Sequence, residues 1–599
     1  MPHRLVEALR NPEILKFAHN ANFERTCLKQ IGFDIPEEQW RCTAVMSAYC
    51  GLPLHLDGVS KALDLGEFSK DAVGKSLIKY FSMPVKPTKI NGGRTRNFPH
   101  HDLEKWENFK NYCKQDVVAE REIERRLLKY EMPQSEIDNY ILDQKINDRG
   151  ILIDLEMASN AYDIDQKYTE EITKELQDLT GVENPNSALQ LKSWLGVEMQ
   201  RDVETLSKTV MPELINEAGK GSNAAKVLSL RAKNSKTSVK KYTAMLNCAC
   251  DDNRAHGLFQ FYGANRTGRW SGRLIQLQNL PQNHIDDLEL ARNAVLSGDY
   301  TYINMLYDDI GSILSQLIRT AFIAKENHTF AVADFSAIEA RVIAWLAGEQ
   351  WRLDVFQTHG KIYEASASMM FGVPIEQIGK GSDLRQKGKV AELALGYQGG
   401  VGALKTMGGE RMGLSEQEMK SIVDKWRKAN PAIVELWGDI EICANRCVKT
   451  GRQQISDFRG LIFETDGNVM TIELPSGRKL FYQQPIIGKN RFDKPSLMYM
   501  GMDQVKKTWG RVETYGGKLV ENIVQAIARD ILADSMLRLD KEGLELVMHV
   551  HDEVVAEVPE VNAEALLNKM YAIMGAEISW AKGLPLSADG YLTKFYKKD

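Results

Sequence analysis

The order of apolar and polar positions divides the chain into stretches of different period. The first ~130 residues mix short apolar runs with polar loops, including a Pro/Gly-rich stretch from Pro84 to Pro99. They close on a helical pattern from about Asp102 to Leu128, which Pro133 breaks. From Gln134 to about Leu246 the period stays helical with charged faces, interrupted by the turn ENPNSA near Pro185. At His256 the period changes: GLFQFY alternates as a strand does, and GANRTGRWSGR behind it predicts a loop. A buried strand is predicted over Thr329 to Ala333, passing directly into a helix from about Ile338. Residues 350–450 read as mostly helical, and PSGRKLFYQ signals a strand near Lys479. LVENIVQAIARDILADSMLRL predicts a helix, and LELVMHVHDEVVAEV two strands with a tight turn at His551-Asp552-Glu553.

Length changes this picture, because 599 residues exceed what one hydrophobic core sustains, so several domains are expected. A content of 43% apolar and 26% charged residues excludes a disordered or fibrous chain. No apolar run approaches the ~18 residues that span a bilayer, and the first 25 residues lack a signal-peptide core, so no membrane association is expected. Eight scattered cysteines without paired CxxC elements read as reduced thiols of a cytosolic protein, with no zinc module. Net charge, at −5, says little about partners. Its distribution says more: KVLSLRAKNSKTSVKK, from Lys226 to Lys241, carries six cations and no acid. Lys233, Lys236 and Lys240 share one face if this stretch is one helix. Taken alone, the strip is either a solvated helix face or a grip on nucleic-acid phosphates.

Three elements carry candidate chemistry. Asp334 ends a predicted buried strand just before a helix, a position suited to a metal ligand and equally to a helix cap. The turn Val550-His551-Asp552-Glu553 sets two acids and a histidine between valine-rich strands, either as surface turn chemistry or as a second carboxylate site. If the two strands are neighbours, the acids on both could bridge a pair of Mg²⁺ ions. In DLRQKGKVAELALGYQGG, Arg385, Lys389, Leu393 and Tyr397 are spaced four apart and stay on one side of a helix. That row offers cations at one end and an aromatic at the other, suited to a polyphosphate and a base, or is an amphipathic helix with two solvated cations. Gly396, Gly399 and Gly400 should end the helix.

Together these elements resemble the family A DNA polymerases, the group of bacterial DNA polymerase I, and most closely its phage-encoded members. The resemblance runs from Gln134 to Asp599 and rests on five motifs in order. They are Thr267-Gly268-Arg269-Trp270-Ser271, Leu277-Gln278-Asn279-Leu280-Pro281, Asp334-Phe335-Ser336-Ala337-Ile338-Glu339-Ala340-Arg341, Arg385-x3-Lys389-x7-Tyr397 and Val550-His551-Asp552-Glu553. It implies an α/β multidomain chain with a right-hand fold of thumb, palm and fingers. The implied divisions are a thumb over 131–250, palm over 251–350 and 519–599, and fingers over 351–518. Asp334 and Asp552, helped by the Phe335 carbonyl, would ligate two Mg²⁺ ions, with Glu553 in support. Arg385 and Lys389 would bind the triphosphate, Tyr397 would stand near the templating base, and Glu339 would exclude a ribose 2′-OH, selecting dNTP. Arg269, Gln278, Asn279, Gln525 and His551 would contact primer or template, and Lys233, Lys236 and Lys240 duplex phosphates. Departures are Leu393, where the family has Phe or Tyr, Lys361-Ile362-Tyr363, where many members have Asp-Ile-His, and the residues upstream of Gln525.

Residues 1–130 resemble part of the 3′–5′ exonuclease domain of the same polymerases, a ribonuclease H-like fold. Asn20-Ala21-Asn22-Phe23-Glu24 is similar to its second motif, with Glu24 for the commoner Asp, and Tyr112-x3-Asp116 to its third. The first motif, a strand with Asp-x-Glu, is expected upstream of Asn20, where 19 residues stand; the triplets at Asp102, Asp154 and Asp287 come later. Proofreading is therefore expected to be absent. The implied partners are primer–template DNA and dNTPs, acting as a monomer in the cytoplasm, that of a bacterial host for a phage enzyme. A single-subunit RNA polymerase, with a small residue expected at position 339, and a non-catalytic DNA-binding protein are the alternatives.

Overall fold

In the computed structural model, which describes residues 2–68, 74–234, 237–490, 493–503 and 506–598, apolar side chains collect into two cores. The larger extends from Leu142 to Tyr596. The smaller joins N-terminal residues such as Trp40, Tyr49 and Ile123 to Phe261, Tyr262, Val469 and Phe481 from later in the chain. The N-terminal segment thus packs onto the body. Gln483 Nε2 donates to the Cys50 carbonyl at 2.6 Å and Asn265 Nδ2 to that of Leu52 at 3.1 Å. Buried Arg25 pairs with Asp148, and with Glu37 at 3.0 Å. Within the segment, Lys16–Ala18 and Trp40–Cys42 form a parallel strand pair. The long helix runs Leu103–Leu127, started by the Asp102 carboxylate, which accepts the Lys105 backbone N–H at 3.0 Å.

The helical period behind Pro133 becomes Gln134–Arg149, Leu155–Thr180, Ala188–Glu198, Met211–Ala218, Asn223–Asn234 and Lys240–Cys248. The basic strip is not one helix. Asn223–Asn234 ends before a 3-10 turn at Thr237–Val239, and Lys240–Cys248 starts a second helix, so Lys233 and Lys240 do not share a face. Lys236 lies outside the described residues. The segment expected as a loop after GLFQFY also differs: Arg269–Gly272 is a strand, antiparallel to Phe259–Ala264. Left-handed Gly268 (φ 77°) lets the chain reverse there. A Cβ at this position would meet Arg478 at 2.6 Å.

Four antiparallel strands form the central sheet: β1 (His328–Phe335), β2 (Glu545–Val550), β3 (Glu553–Pro559) and β4 (Ala588–Thr593), in the order β2-β3-β1-β4. Strand β1 is buried along nearly its whole length, as a central strand covered on both faces must be. Its register sets Glu553 on one side and Asp589 on the other side of Asp334. Four helices matter for the site: α1 (Ile338–Ala347), α2 (Ile362–Phe371), α3 (Asp383–Leu395) and α4 (Gly516–Lys541). Between Gln454 and Thr514 the chain builds a six-stranded antiparallel meander, of which the sequence signals only the part at Lys479–Lys489. Among the described residues, no helix is long and apolar enough to cross a membrane.

Candidate active site

The acid-bearing ends of β1 and β3 meet as the predicted neighbouring strands require. Asp334 is the cross-strand partner of Glu553, and the Phe335 N–H donates to the Asp552 carbonyl at 3.2 Å. Asp552 lies in the two-residue turn between β2 and β3, opened by His551 in the left-handed conformation (φ 58°). Glu553 already belongs to β3 and is 2% exposed. Burial, then the facing charges of Asp552 and Glu553, pushes the Asp334 carboxyl up to about 7. Burial likewise raises Asp552 and Glu553. Asp334 Oδ1 is buried and receives no hydrogen-bond donor among the described residues. Lys598 Nζ lies 3.8 Å from both Asp334 and Glu553. Among the described residues, no three His, Cys, Asp or Glu side chains are gathered as a ready metal site. The pair Asp334 and Asp552, with an undonated Asp334 oxygen, nevertheless has the all-oxygen chemistry that fits hard divalent cations.

Helix α3 presents the predicted row and ends at Leu395, so Tyr397 sits in the turn just beyond it rather than on its last turn. Lys389 is exposed and Leu393 is 50% exposed. Arg385 is engaged: its Nε donates to Glu364 Oε1 on α2 at 2.7 Å, and its guanidinium lies 5.5 Å from the Tyr363 ring. Residues Arg385, Tyr363, Glu364, Ser336 and Asp589 line a cavity of about 420 Å³ beside Asp334. Glu339, on the first turn of α1, is held on both oxygens. Arg269 Nη2 donates to Oε1 at 2.5 Å and the Tyr397 hydroxyl to Oε2 at 2.6 Å.

The remaining predicted contacts lie around this centre. His551 is exposed, and its Nε2 donates to the Gln278 carbonyl at 3.3 Å. The Gln278 side-chain amide is buried and finds no partner among the described residues, close against Gly272, where a Cβ would come within 2.2 Å of its Oε1. Asn279 is exposed, and Gln525 is half-buried on α4. Lys233 Nζ donates to the Asp308 carbonyl at 2.9 Å, and Lys240 is exposed. A buried network holds the Thr267–Trp270 turn in place. Arg478 Nη2 donates to the Thr267 carbonyl at 2.9 Å, and Arg529 Nε to that of Gly268 at 3.0 Å. Trp270 Nε1 donates to Asp143 at 3.0 Å. Motif reading did not find Glu364, Arg319, Tyr596 or Lys598, which reach the site from positions with no distinctive local pattern.

In the N-terminal segment, Asn20 is left-handed (φ 76°) and precedes the helix carrying Glu24. Glu24 is raised by burial, and Glu120 is pushed up to about 7 by its burial and by the facing charge of Glu24. Tyr112 is buried against Gly74, and Asp116 stands one turn further along the same helix. The Asp-x-Glu triplets at Asp102, Asp154 and Asp287 use their aspartate as a helix cap. Asp102, Asp154 and Asp287 accept the N–H of Lys105, Met157 and Leu290.

Comparison with known proteins agrees with the motifs. The family model described as DNA polymerase family A matches residues 156–458. The DNA polymerase of Bacillus phage SP02 is 54% identical over 601 residues, covering 100% of this chain and 92% of that protein. The thermostable DNA polymerase I of Thermus aquaticus is 26% identical over 265 residues, covering 44% of this chain and 26% of that protein. Among solved structures, the POL domain of Pol1 from M. smegmatis, in complex with DNA primer-template and dNTP, aligns with a TM-score of 0.61 at 18% identity. It covers 99% of this chain and 88% of that one, and at that identity the likeness is one of fold. With a right-hand polymerase fold, the five motifs in order and a phage relative matched along the whole of this chain, the chain belongs to DNA polymerase family A and is a DNA-directed DNA polymerase.

Proposed function

We propose that the chain adds dNMP units to a primer 3′-OH under template direction, at the site formed by Asp334, Asp552 and Glu553. The observation that carries this is the strand register setting Asp334 against Glu553, beside Asp552, with Asp334 Oδ1 receiving no donor among the described residues. Asp334, Asp552 and the Phe335 carbonyl would hold two Mg²⁺ ions. When bound, such ions supply a lower pKa at the attacking hydroxyl and neutralise charge on the leaving pyrophosphate. Arg385 and Lys389 bind the triphosphate over the cavity beside Asp334 and offset charge growing in the transition state. Fixed by Arg269 and Tyr397, the Glu339 carboxylate occupies the space a 2′-OH would need. Tyr397 stands by the templating base, and Leu393, where the family has a ring, offers the incoming nucleotide none to stack on. Arg269, Gln278, Asn279, Gln525 and His551 contact primer–template, and Lys233, Lys236 and Lys240 the duplex phosphates.

In the same reading 131–250 is the thumb, 251–350 and 519–599 the palm, and 351–518 the fingers. The enzyme works as a monomer in phage DNA replication, in the host cytoplasm. Residues 1–130 are a partial exonuclease-like domain, with Asn20, Glu24, Tyr112 and Asp116 as its remnant, and do not proofread. What supports this is that the Asp-x-Glu triplets at Asp102, Asp154 and Asp287 are spent on helix caps. Extension of a labelled primer–template with dNTPs and Mg²⁺ tests the proposal. The parent is expected to extend, and Asp552→Ala to bind duplex without extending. Extension by Asp552→Ala contradicts the assignment, and Mg²⁺-dependent removal of a mismatched 3′ end, lost in Asp116→Ala, contradicts the absence of proofreading.

A further inference from the structure

Resting on that active site, we infer that Tyr596 is a positioning residue for it: its hydroxyl, held by Arg319, fixes the Glu553 carboxylate beside Asp334 and Asp552. A carboxylate buried next to two others is unfavourable unless its oxygens are engaged. Glu553 Oε1 accepts from the Tyr596 hydroxyl at 2.6 Å. The same hydroxyl oxygen accepts from Arg319 Nη1 at 2.9 Å. A guanidinium has no acceptor, so the tyrosine proton can point only at Glu553 and the direction of the relay is fixed. The other oxygen, Oε2, faces Lys598 Nζ at 3.8 Å.

Arg319 commits its remaining donors to the DNA-contact motif. Its Nε donates to the Pro281 carbonyl and its Nη2 to that of Leu280, both at 2.7 Å. Further along the same loop, Asn283 Oδ1 accepts the Lys598 backbone N–H at 3.1 Å. One buried guanidinium, 3% exposed, therefore joins the loop bearing Gln278 and Asn279 to the third acid of the site. Tyr596 is fully buried. Its ring fills core space that phenylalanine would fill as well, so the hydroxyl is accounted for by Glu553. Without it, Glu553 is left free to turn towards Lys598, and the geometry of the three acids is no longer unique.

Tyr596→Phe removes this one oxygen and keeps the ring. Loss of a hydrogen bond to a charged group at the reacting centre corresponds to at least about tenfold in rate. Single-turnover incorporation by Tyr596→Phe is expected to slow by that factor, with a higher half-saturating Mg²⁺ concentration and unchanged dNTP and duplex affinity. Mn²⁺ titration of the DNA-free protein, read by electron paramagnetic resonance, is expected to show several-fold weaker binding. In a Glu553→Gln background the second change should add less than about twofold, because the bond it removes has already lost its charge. Parent-like incorporation and Mn²⁺ binding in Tyr596→Phe overturn the inference, as does an equal fall in both backgrounds, the mark of a merely structural role. Incorporation that survives in Asp334→Ala overturns the active-site assignment itself and the inference with it. Tyr596→Phe that is parent-like while Asp334→Ala is inactive overturns the inference alone.

Discussion

At Glu339 two donors converge from different parts of the chain, the Arg269 guanidinium and the Tyr397 hydroxyl, so the carboxylate has no freedom to swing aside. Glu339→Ala is expected to raise the kcat/KM ratio of NTP over dNTP by at least about tenfold, the weight of one well-placed contact. An unchanged ratio would remove the residue from sugar selection. His549 makes a second prediction. It is buried between Phe259, Trp270 and Arg529, and burial lowers its imidazole to about 3, against 6.5 when exposed. Between those values the unfolded chain binds a proton that the folded one refuses, so this residue withdraws stability as pH falls from about 6.5 towards 3. Its contribution is up to about 1.4 kcal/mol per pH unit. Asp143, raised by burial to about 7, acts oppositely, contributing stability at low pH that is lost as pH rises. The difference between parent and His549→Gln therefore carries the prediction: the variant should lose less stability from pH 7 to pH 5 in urea unfolding. Motif residues were legible because each pairs an unusual side chain with a break in period, as Asp334 does at the end of an apolar strand. Tyr596 and Arg319 were not, because an isolated Tyr or Arg in an apolar stretch reads as core packing until its partners are known.

At the scale of elements, the strands carrying Asp334 and Glu553 were readable from dense Val and Ala runs with a polar stop, and α3 from its four-residue spacing. The Gln454–Thr514 meander was not. Pro485, Gly488, Pro495, Gly501 and Gly510 interrupt its apolar residues, and the period of two is lost within each short run. Pairing with neighbours, rather than local preference, makes those strands, as it does Arg269–Gly272. Position and register also explain why α4 begins on two glycines. A Cβ on Gly517 would stand 2.4 Å from Gln398 Cβ and 2.6 Å from the Tyr397 carbonyl, and one on Gly516 2.1 Å from the Trp437 carbonyl. Helix α4 therefore lies directly against the turn that places Tyr397. Gly517→Ala is expected to cost about 1–3 kcal/mol by overpacking and to slow single-turnover incorporation with it. A variant with the parent's thermal midpoint and rate would show that this contact does not position Tyr397.

Over the whole molecule, residues 1–130 share a core with the body through Tyr49, Tyr130, Phe261, Tyr262 and Phe481. Arg25, with its carboxylates at Glu37 and Asp148, closes the seam against Gln134–Arg149. The first segment and the polymerase body should therefore unfold together. Arg25→Met is expected to lower stability by about 1–3 kcal/mol while primer extension at low temperature persists. A parent-like transition, or a separate early transition already present in the parent, would show that the seam contributes little. The sequence carries the order of these regions but not their packing, because contacts such as Gln483 to Cys50 join residues far apart along the chain. The central claim is that Asp334, Asp552 and Glu553 form a nucleotidyl-transfer centre on adjoining strands. Rapid-quench incorporation of one nucleotide, with each of the four bases as template, tests it most directly in the parent, Asp334→Ala and Asp552→Ala. The account predicts that the parent adds only the complementary dNMP, and that each variant loses at least about a thousandfold in rate while still binding the duplex. Incorporation by either variant within about tenfold of the parent would contradict it.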